Sequence, residues 1–534
     1  MKQNRLVILF CISLLSVFSS SRLQAQGETF AMTTLASSLN FPYEIVYGPD
    51  NNIWLTERVG GKVSTINPST GAKTTLLTLG TKMVQTAGQD GLMGIAIHPE
   101  FMTGKKFVYI AYTYQNVSST VRKTKIERYT ITSVKKGKTT TTTLGAAVTI
   151  IDNLPGSNDH NSGRLAIGPD MKLYYTIGDM GAGQGNNLSR TQNAQNLNVY
   201  EGKILRLNLE LINNSWIPAD NPFTNSSGVR TAVYSYGHRN AQGLVWGNVA
   251  GNNILYSTEH GPFSDDEINI IEKGRNYGWA GVAGYCDGNY NSTWVGGTGI
   301  VDEASTCSIL NVKEPIRSLF PVTNPPDSTT SFLTWPTVAP SGTDFYSSTG
   351  IPGWQNSLLV ACLKSGRVYR FKLNDADGQT VGDTIGYFAN LGRFRDICIS
   401  PDGQKIYVCT DNSGSTSVPT GGYTSTPPNG GKILVFTYTG SGRYAKPDNL
   451  ITGASKFNVY PVPANNELTI AATGLNQFAS FELVSTSGTV LKQVSGLSNR
   501  AQINVNALPN GVYFVRIYGL NKELIDVQKV VVRH

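Results

Sequence analysis

Four times along this 534-residue chain a short apolar run ends in threonine and then meets an acidic side chain. The runs are Ile53-Trp-Leu-Thr56 before Glu57, Leu173-Tyr-Tyr-Thr176 before Asp179, Ile254-Leu-Tyr-Ser-Thr258 before Glu259, and Ile406-Tyr-Val-Cys-Thr410 before Asp411. Pro-Asp turns at 49–50, 169–170 and 401–402 lead into three of them. A second phrase recurs as Gly61-Lys-Val, Gly202-Lys-Ile, Gly366-Arg-Val and Gly431-Lys-Ile, each opening a strand. Short strands with glycine punctuation and a loose period mark units that cannot bury their apolar faces alone and must stack around an axis. At roughly 40–50 residues per unit, about six units fit residues 28–440. The chain is therefore expected to be all-β, a six-bladed β-propeller, and no heptad or 3.6-residue apolar pattern competes with that reading. In such a fold strand ends and loops converge at one mouth of the central channel, so residues remote in sequence can share a site.

Fifty-six glycines, 25 tyrosines and only 15% charged residues favour an extracellular β protein over a helical cytosolic one. Residues 1–25 read as a secretory signal peptide: Lys2 and Arg5 precede the apolar run Leu6–Phe18, and Leu23-Gln-Ala25 offers a small-residue cleavage site. That run is too short for a membrane anchor, and no later stretch is long and apolar enough to span a bilayer. Cys11 lies inside the run rather than at its end, which argues against a lipoprotein signal. The formal net charge of +8 suggests nucleic acid until it is divided. The signal peptide and residues 456–534 each carry +3, which leaves +2 for the body, and no basic run is interleaved with aromatics. Cys286 and Cys307 lie in a glycine-rich loop region and can pair in an oxidising compartment. Cys362, Cys398 and Cys409 sit in apolar runs and read as buried thiols; no cysteine has metal-site spacing.

The body, residues 26–440, gives way to a linker at 441–455 within the stretch that opens Gly440-Ser-Gly-Arg-Tyr-Ala-Lys-Pro447. Residues 456–534 then alternate short strands, among them Leu468-Thr-Ile470, Phe481-Glu-Leu-Val484 and Val512-Tyr-Phe-Val515, and predict a small β-sandwich. The Tyr460-Pro-Val-Pro463 opening, the Asn510-Gly-Val-Tyr-Phe-Val515 strand and the terminal Lys529-Val-Val-Val532 resemble the C-terminal sorting domain of the type IX secretion system of Bacteroidetes. Val462 stands where that family usually has asparagine. The resemblance makes the tail an address read by the secretion machinery and places the protein outside the cell or on its surface.

Chemistry concentrates in polar segments at strand ends. Gly156-Ser-Asn-Asp-His-Asn-Ser-Gly-Arg164 sets Asp159 directly before His160, one of only five histidines. A histidine beside a carboxylate is a general base near neutral pH; the plainer reading is a turn whose side chains satisfy the backbone. Further such segments are Gly88-Gln-Asp-Gly91, Gly237-His-Arg-Asn240 and Glu259-His-Gly-Pro-Phe-Ser-Asp-Asp-Glu267, together with Lys364 and Arg393-Phe-Arg395. Fixed cations around one cavity suit a polyanion, and planar arginines suit carboxylates or phosphates. An Asp-Asp-Glu run beside glycine and proline carbonyls suits a hard cation such as calcium. Singly, each is better read as a surface ion pair or a solvated turn. Gly181-Ala-Gly-Gln-Gly185 lacks both the spacing and the βαβ context of a nicotinamide site.

Together and in order, these segments resemble the soluble dehydrogenases of glucose and other aldoses that depend on pyrroloquinoline quinone. The likeness runs from about residue 37 to 440 through Trp54-Leu-Thr-Glu-Arg58, Gly91-Leu-Met-Gly94, His98-Pro-Glu-Phe101, Asp159-His160 with Ser162-Gly-Arg164, and Tyr174-Tyr-Thr-Ile-Gly-Asp179. It continues through Gly237-His-Arg-Asn-Ala-Gln-Gly243, Ser264-Asp-Asp-Glu-Ile-Asn269, Asn276-Tyr-Gly-Trp279, Trp335-Pro-Thr-Val-Ala-Pro-Ser341 and Arg393-Phe-Arg-Asp396. The resemblance implies that His160 takes the proton from the anomeric hydroxyl, with Asp159 favouring the imidazolium. Hydride would pass from the sugar's C1 to the quinone, giving a lactone, with Arg239 and Asn240 on the quinone. Thr337, Lys364, Arg393 and Arg395 would bind its carboxylates, and Gln89, Asp159 and Trp335 would line the sugar side, Gln89 also reaching the cofactor. The carbonyls of Gly261 and Pro262 would hold an activating calcium. Glu267, Asp287 and the carbonyls of Tyr277, Ala283 and Tyr285 would hold structural calcium, with Glu303 or Glu314 completing that set. His98 and His238 read as structural. An external electron acceptor is implied, and a homodimer is allowed. The chain departs from the family at His260, usually glutamine, at Phe332, usually tyrosine, and in a shortened segment 286–331, which leaves substrate preference open. Two alternatives carry less: a non-catalytic binding propeller, and a calcium-dependent lactonase, which would have no use for Lys364 or Arg395.

Overall fold

The computed structural model describes residues 28–441 and 457–534, except 86–87, 116–121, 138, 185–186, 296–297, 327–328, 420–421, 473–477, 486–488, 499 and 519–523. The signal peptide and all but the first residue of the linker lie outside the described residues. The chain divides into two compact units, Met1–Ser441 and Gly442–His534.

Six four-stranded antiparallel sheets make the first unit, as the repeat predicts. Blades 1 to 6 open on Pro42–Tyr47, Leu92–Ile97, Leu165–Ile167, Ala241–Val249, Pro340–Tyr346 and Phe394–Ile399. Each opening strand packs against the opening strands of both neighbouring blades, that of blade 6 against that of blade 1, so the ring is closed. The N-terminal strand Glu28–Ala36 pairs with Ile433–Ser441 and completes blade 6. The recurrent apolar runs are the second strands, wedged between sheets. Ile53–Glu57 is buried along its whole length, and Trp54, Tyr175, Tyr256 and Tyr407 are fully enclosed. Stacked blades bury these faces from both sides, which is why the runs are continuous rather than alternating.

Opening strands crowd the axis. A Cβ on Gly342 would stand 1.6 Å from Asp396 Oδ1, so this position admits only glycine. Arg164 ties blades across the axis, with Nη1 2.8 Å from Asp396 Oδ2 and 3.3 Å from Glu44 Oε1, and Nε donating to the Gln242 carbonyl at 3.0 Å. Burial pushes the Glu44 carboxyl up to about 8 against the pull of Arg164. Removing one member of such a buried set typically costs about 3–5 kcal/mol, because the remaining charges lose their partner.

The second unit is a two-sheet sandwich. One sheet comprises Phe457–Tyr460, Glu467–Ala472 and Arg500–Asn504; the other comprises Val490–Ser498, Phe478–Ser485, Gly511–Tyr518 and Leu524–Val532. Leu468, Ile470, Phe481, Leu483, Val515 and Ile517 interdigitate between them. Cys286 and Cys307 are joined by a disulfide, Cα atoms 6.0 Å apart, while Cys362, Cys398 and Cys409 are free and buried.

Candidate active site

The Gly156–Arg164 turn delivers His160 to the mouth just before blade 3 opens. Its backbone is left-handed at His160 (φ +46°), Ser162 (+55°) and Gly163 (+96°). A non-glycine residue in that region stores strain and persists only where the surroundings hold it. Gly178 permits the arrangement, since a Cβ there would lie 2.0 Å from the His160 carbonyl oxygen.

Asp179, not Asp159, orients the imidazole. His160 Nδ1 stands 2.8 Å from Asp179 Oδ1, whereas Asp159 Oδ1 is 3.9 Å from Nε2. The Asp159 side chain is 34% exposed and that of Asp179 is fully buried. A buried charge-assisted hydrogen bond contributes about 1.5–3 kcal/mol, a solvent-screened pair at longer range far less. Burial works to raise the Asp179 carboxyl, yet His160, Arg239 and the Trp279 indole hold it below the ordinary range. Its Oδ1 also accepts from the Gly181 N–H at 2.9 Å, and Oδ2 accepts from Trp279 Nε1 at 2.8 Å and Gln192 Nε2 at 3.3 Å. With Nδ1 so engaged, Nε2 is the nitrogen left for substrate. Asp159 is held instead by Gln89, whose Nε2 donates to Oδ1 at 2.6 Å.

Arg239 and Asn240 enter from the loop before blade 4. Glu259 fixes that loop, accepting the Arg239 and Asn240 N–H groups on one oxygen and lying 3.1 Å from His238 Nδ1 with the other. His238 is thereby structural, and so is His98, whose Nδ1 accepts from the Glu100 N–H at 3.0 Å. Arg239 donates to Gln184 Oε1 at 2.8 Å and to the His260 carbonyl at 3.2 Å, its Nε has no hydrogen-bond partner among the described residues, and its guanidinium lies over the Trp279 ring, 5.4 Å from the centroid. Asn240 Oδ1 accepts from the Ser162 N–H at 3.2 Å, which leaves its NH2 facing His260 Nδ1 at 3.5 Å. His260 Nε2 is buried with no hydrogen-bond partner among the described residues. Burial first, then the charges of Arg239, His160, Arg395 and Arg393, hold that imidazole far below its ordinary value, so it is neutral.

Lys364 donates to the Trp335 and Thr337 carbonyls. Burial lowers it to about 8 against the opposing pull of Asp266. Arg393 donates to the Ser415 carbonyl at 3.0 Å. Arg395 is more fully engaged than a plain anion anchor: it pairs with the buried Asp411 at 2.7 Å and donates to Gln242 Oε1 at 2.7 Å. Trp335 meets Phe263 edge to face at 4.8 Å, and Phe332 is 54% exposed.

No described residue hydrogen-bonds to the Gly261 or Pro262 carbonyl, and both residues line a small cavity with Arg239, His260 and Glu267. Among the described residues no three acidic, histidine or cysteine side chains converge on one point, so a cation here depends on carbonyls. Burial and then the neighbouring Glu259 push the Glu267 carboxyl up to about 8. That oxygen-only donor set suits calcium. Glu267 accepts from the Gly284 N–H at 2.9 Å and Asp287 from the Asn289 N–H at 3.1 Å. Tyr277, Ala283 and Tyr285 lie on the connecting loop, where the Tyr285 hydroxyl accepts from the Ser318 N–H at 3.1 Å. Glu303 accepts the Ala283 and Gly288 N–H groups at 2.9 and 3.1 Å, and Glu314 accepts that of Cys286 at 2.8 Å. Both therefore organise the loop.

The fold is thus a closed six-bladed ring in which His160 is held by a buried carboxylate, and the comparisons with known proteins place it among the quinoprotein dehydrogenases. The chain belongs to the glucose/sorbosone dehydrogenase family, whose model matches residues 39–310 and 311–418. It is 38% identical over 457 residues to quinoprotein glucose dehydrogenase B of Acinetobacter calcoaceticus, covering 78% of this chain and 92% of that protein. It is 29% identical over 413 residues to an aldose sugar dehydrogenase of Escherichia coli, covering 76% and 95%. The pyrroloquinoline-quinone-bound structure of the Streptomyces coelicolor aldose sugar dehydrogenase superposes with a TM-score of 0.54 at 26% identity, over 78% of this chain and 100% of that one. Residues 458–533 match the secretion system C-terminal sorting domain, which assigns the protein to secretion or the cell surface. No helix among the described residues is long and apolar enough to cross a membrane.

Proposed function

We propose that the protein is a calcium-dependent quinoprotein that oxidises an aldose at C1 to its lactone and hands the electrons to an external acceptor. The observation that carries this reading is the His160–Asp179 pair with Arg239 beside the carboxylate, and with Arg393 and Arg395 in electrostatic range of the His260 ring that also senses His160. Pyrroloquinoline quinone, when bound, supplies the hydride acceptor, and calcium supplies a Lewis acid. His160 Nε2 takes the anomeric proton, because Asp179 fixes the tautomer and stabilises the charge that forms on the ring. Asp159, held by Gln89, orients the sugar hydroxyls from the wetter side. Lys364 and Arg393 anchor the cofactor carboxylates, with Thr337 beside them and Arg395 adding charge from its Asp411-bound position. Arg239 and Asn240 hold the quinone oxygens, and Gly261, Pro262 and the Glu267 loop hold calcium. Trp335, Phe263 and Phe332 give the sugar an apolar wall. The N-terminal 25 residues serve as the export signal.

The test is dye reduction by the purified, signal-free protein with glucose and other aldoses, before and after adding the quinone and calcium together. Activity that requires both and falls about 10²–10⁴-fold in His160→Ala supports the assignment. Quinone binding without turnover on any aldose would overturn the substrate class. Neither binding nor turnover would leave a non-catalytic propeller.

A further inference from the structure

We infer that Trp279 is a positioning residue that joins the base to the cofactor seat through the two chemistries of one indole; the inference rests on the function proposed above. Trp279 is only 3% exposed. Its Nε1 donates to Asp179 Oδ2 at 2.8 Å, and its ring face carries the Arg239 guanidinium 5.4 Å from the centroid. The backbone is held on both sides: its N–H donates to the Gly237 carbonyl at 3.0 Å, and its carbonyl accepts from Gln195 Nε2 at 2.8 Å. The side chain packs in a buried cluster with Ala194, Ala280, Ala283, Tyr290 and Ile300, so contacts other than Asp179 and Arg239 help to hold the ring that both of them meet.

The carboxylate divides its negative charge between two sides. Oδ1 serves His160 and Gly181; Oδ2 serves Trp279 and Gln192. An N–H at Oδ2 draws charge away from the imidazole and so moderates how strongly Asp179 stabilises the imidazolium. Asp179 and Asp159 face His160, Arg239 acts on the same Asp179 carboxylate, and His260 lies in electrostatic range of the ring. Trp279→Phe alters none of them. It keeps an aromatic ring beneath Arg239 and removes the N–H together with the rest of the five-membered ring.

The expected result is a shift of the acid limb of kcat/KM against pH to higher pH by about half a unit to one unit, the equivalent of one hydrogen bond. Quinone affinity, read by titration of the apo protein, should stay within about twofold. Trp279→Leu, which also removes the ring face, should weaken quinone binding by roughly 2–30-fold, the range of a cation–π contact. A readout independent of cofactor is the His160 ring signal in NMR of the apo protein, identified by its absence in His160→Ala. Its titration midpoint should move with the acid limb in Trp279→Phe. If Trp279→Phe fails to fold, the wild-type Trp279 Nε1–H signal decides, because it should follow the His160 titration through the shared carboxylate. An unmoved limb and midpoint in a folded Trp279→Phe, or a flat indole signal in the wild type, would reduce Trp279 to core packing. A moved midpoint in a protein that never turns over would keep the coupling and refute the dehydrogenase reading.

Discussion

Replacing Asp179 by asparagine separates its role from that of Asp159. Four donors converge on the Asp179 carboxylate, and two of them, the Gly181 N–H on Oδ1 and the Trp279 Nε1–H on Oδ2, can only donate. An amide must therefore turn its NH2 towards one of them and leave a buried donor unpaired, at a cost of about 1–3 kcal/mol of stability. With the NH2 towards Gly181 and His160, Nδ1 must accept, Nε2 carries the proton, and the ring is no base. With the NH2 towards Trp279, the tautomer survives but the imidazolium loses a charge-assisted partner contributing about 1.5–3 kcal/mol. That loss corresponds to roughly 10–150-fold in rate, while loss of the base altogether gives about 10²–10⁴-fold. Asp179→Asn should therefore slow single-turnover reduction of the bound cofactor by at least about tenfold and leave quinone affinity unchanged. Asp159→Asn should act on KM more than on kcat. Denaturant melts of both variants separate the stability cost from the chemical one. Turnover of Asp179→Asn within threefold of wild type, with Asp159→Asn losing most of its kcat, would return the orienting role to Asp159.

Three further outcomes follow from contacts around the site. Gly178→Ala places a methyl 2.0 Å from the His160 carbonyl oxygen; it should lower kcat/KM and destabilise by about 1–3 kcal/mol, and a wild-type rate would mean the turn relaxes freely. Lys364 lies at about 8 in the free protein, so above that pH the bound anion must draw a proton onto it. Quinone affinity should be flat at lower pH and weaken by up to about tenfold per unit above pH 8, and Lys364→Met should bind more weakly with that dependence gone; a flat wild-type profile would remove Lys364 as an anchor. Calcium at about a hundredfold excess over its Kd should stabilise the apo protein by roughly 2.7 kcal/mol, read as a rise in melting temperature. Glu267→Gln should lose most of that rise, and an undiminished one would place the ion elsewhere.

What could be read from the sequence were residues that carry chemistry by themselves. Four second strands repeat the same apolar run, and the length of chain per unit then gave six blades; His160, Lys364 and Arg393 were visible as rare or charged groups at strand ends. Their partners were not. Asp179 lies 19 residues from His160, Trp279 lies 100 from Asp179, and Asp396 lies 232 from Arg164. Such pairings are chosen by ring closure, not by spacing. Asp159 adjoins His160 in sequence, but its carboxylate accepts from Gln89 at 2.6 Å and stands 3.9 Å from Nε2, so the nearer partner of the ring, Asp179, comes from elsewhere in the chain. Arg395 was legible as a cation but not as one committed to Asp411.

The recurring strand-end acids explain how chemistry was fitted into this frame. Glu57, Asp179, Glu259 and Asp411 are 2%, 0%, 3% and 7% exposed, so each needs strong partners. Three of them hold scaffold or fixed cations. Glu57 accepts the Asn40 N–H and pairs with Lys73; Glu259 accepts two loop N–H groups and faces His238; Asp411 pairs with Arg395. In blade 3 the same device holds an imidazole with a second nitrogen left at the mouth. A buried carboxylate already required by the fold then needs no new stabilisation to orient a base. Glu259 also faces an imidazole, but His238 Nε2 is taken by Ser235 at 2.9 Å; blade 3 differs in leaving the second nitrogen of its histidine at the mouth, and the left-handed turn at His160 with Gly178 beneath it is the backbone change that brings that ring into reach.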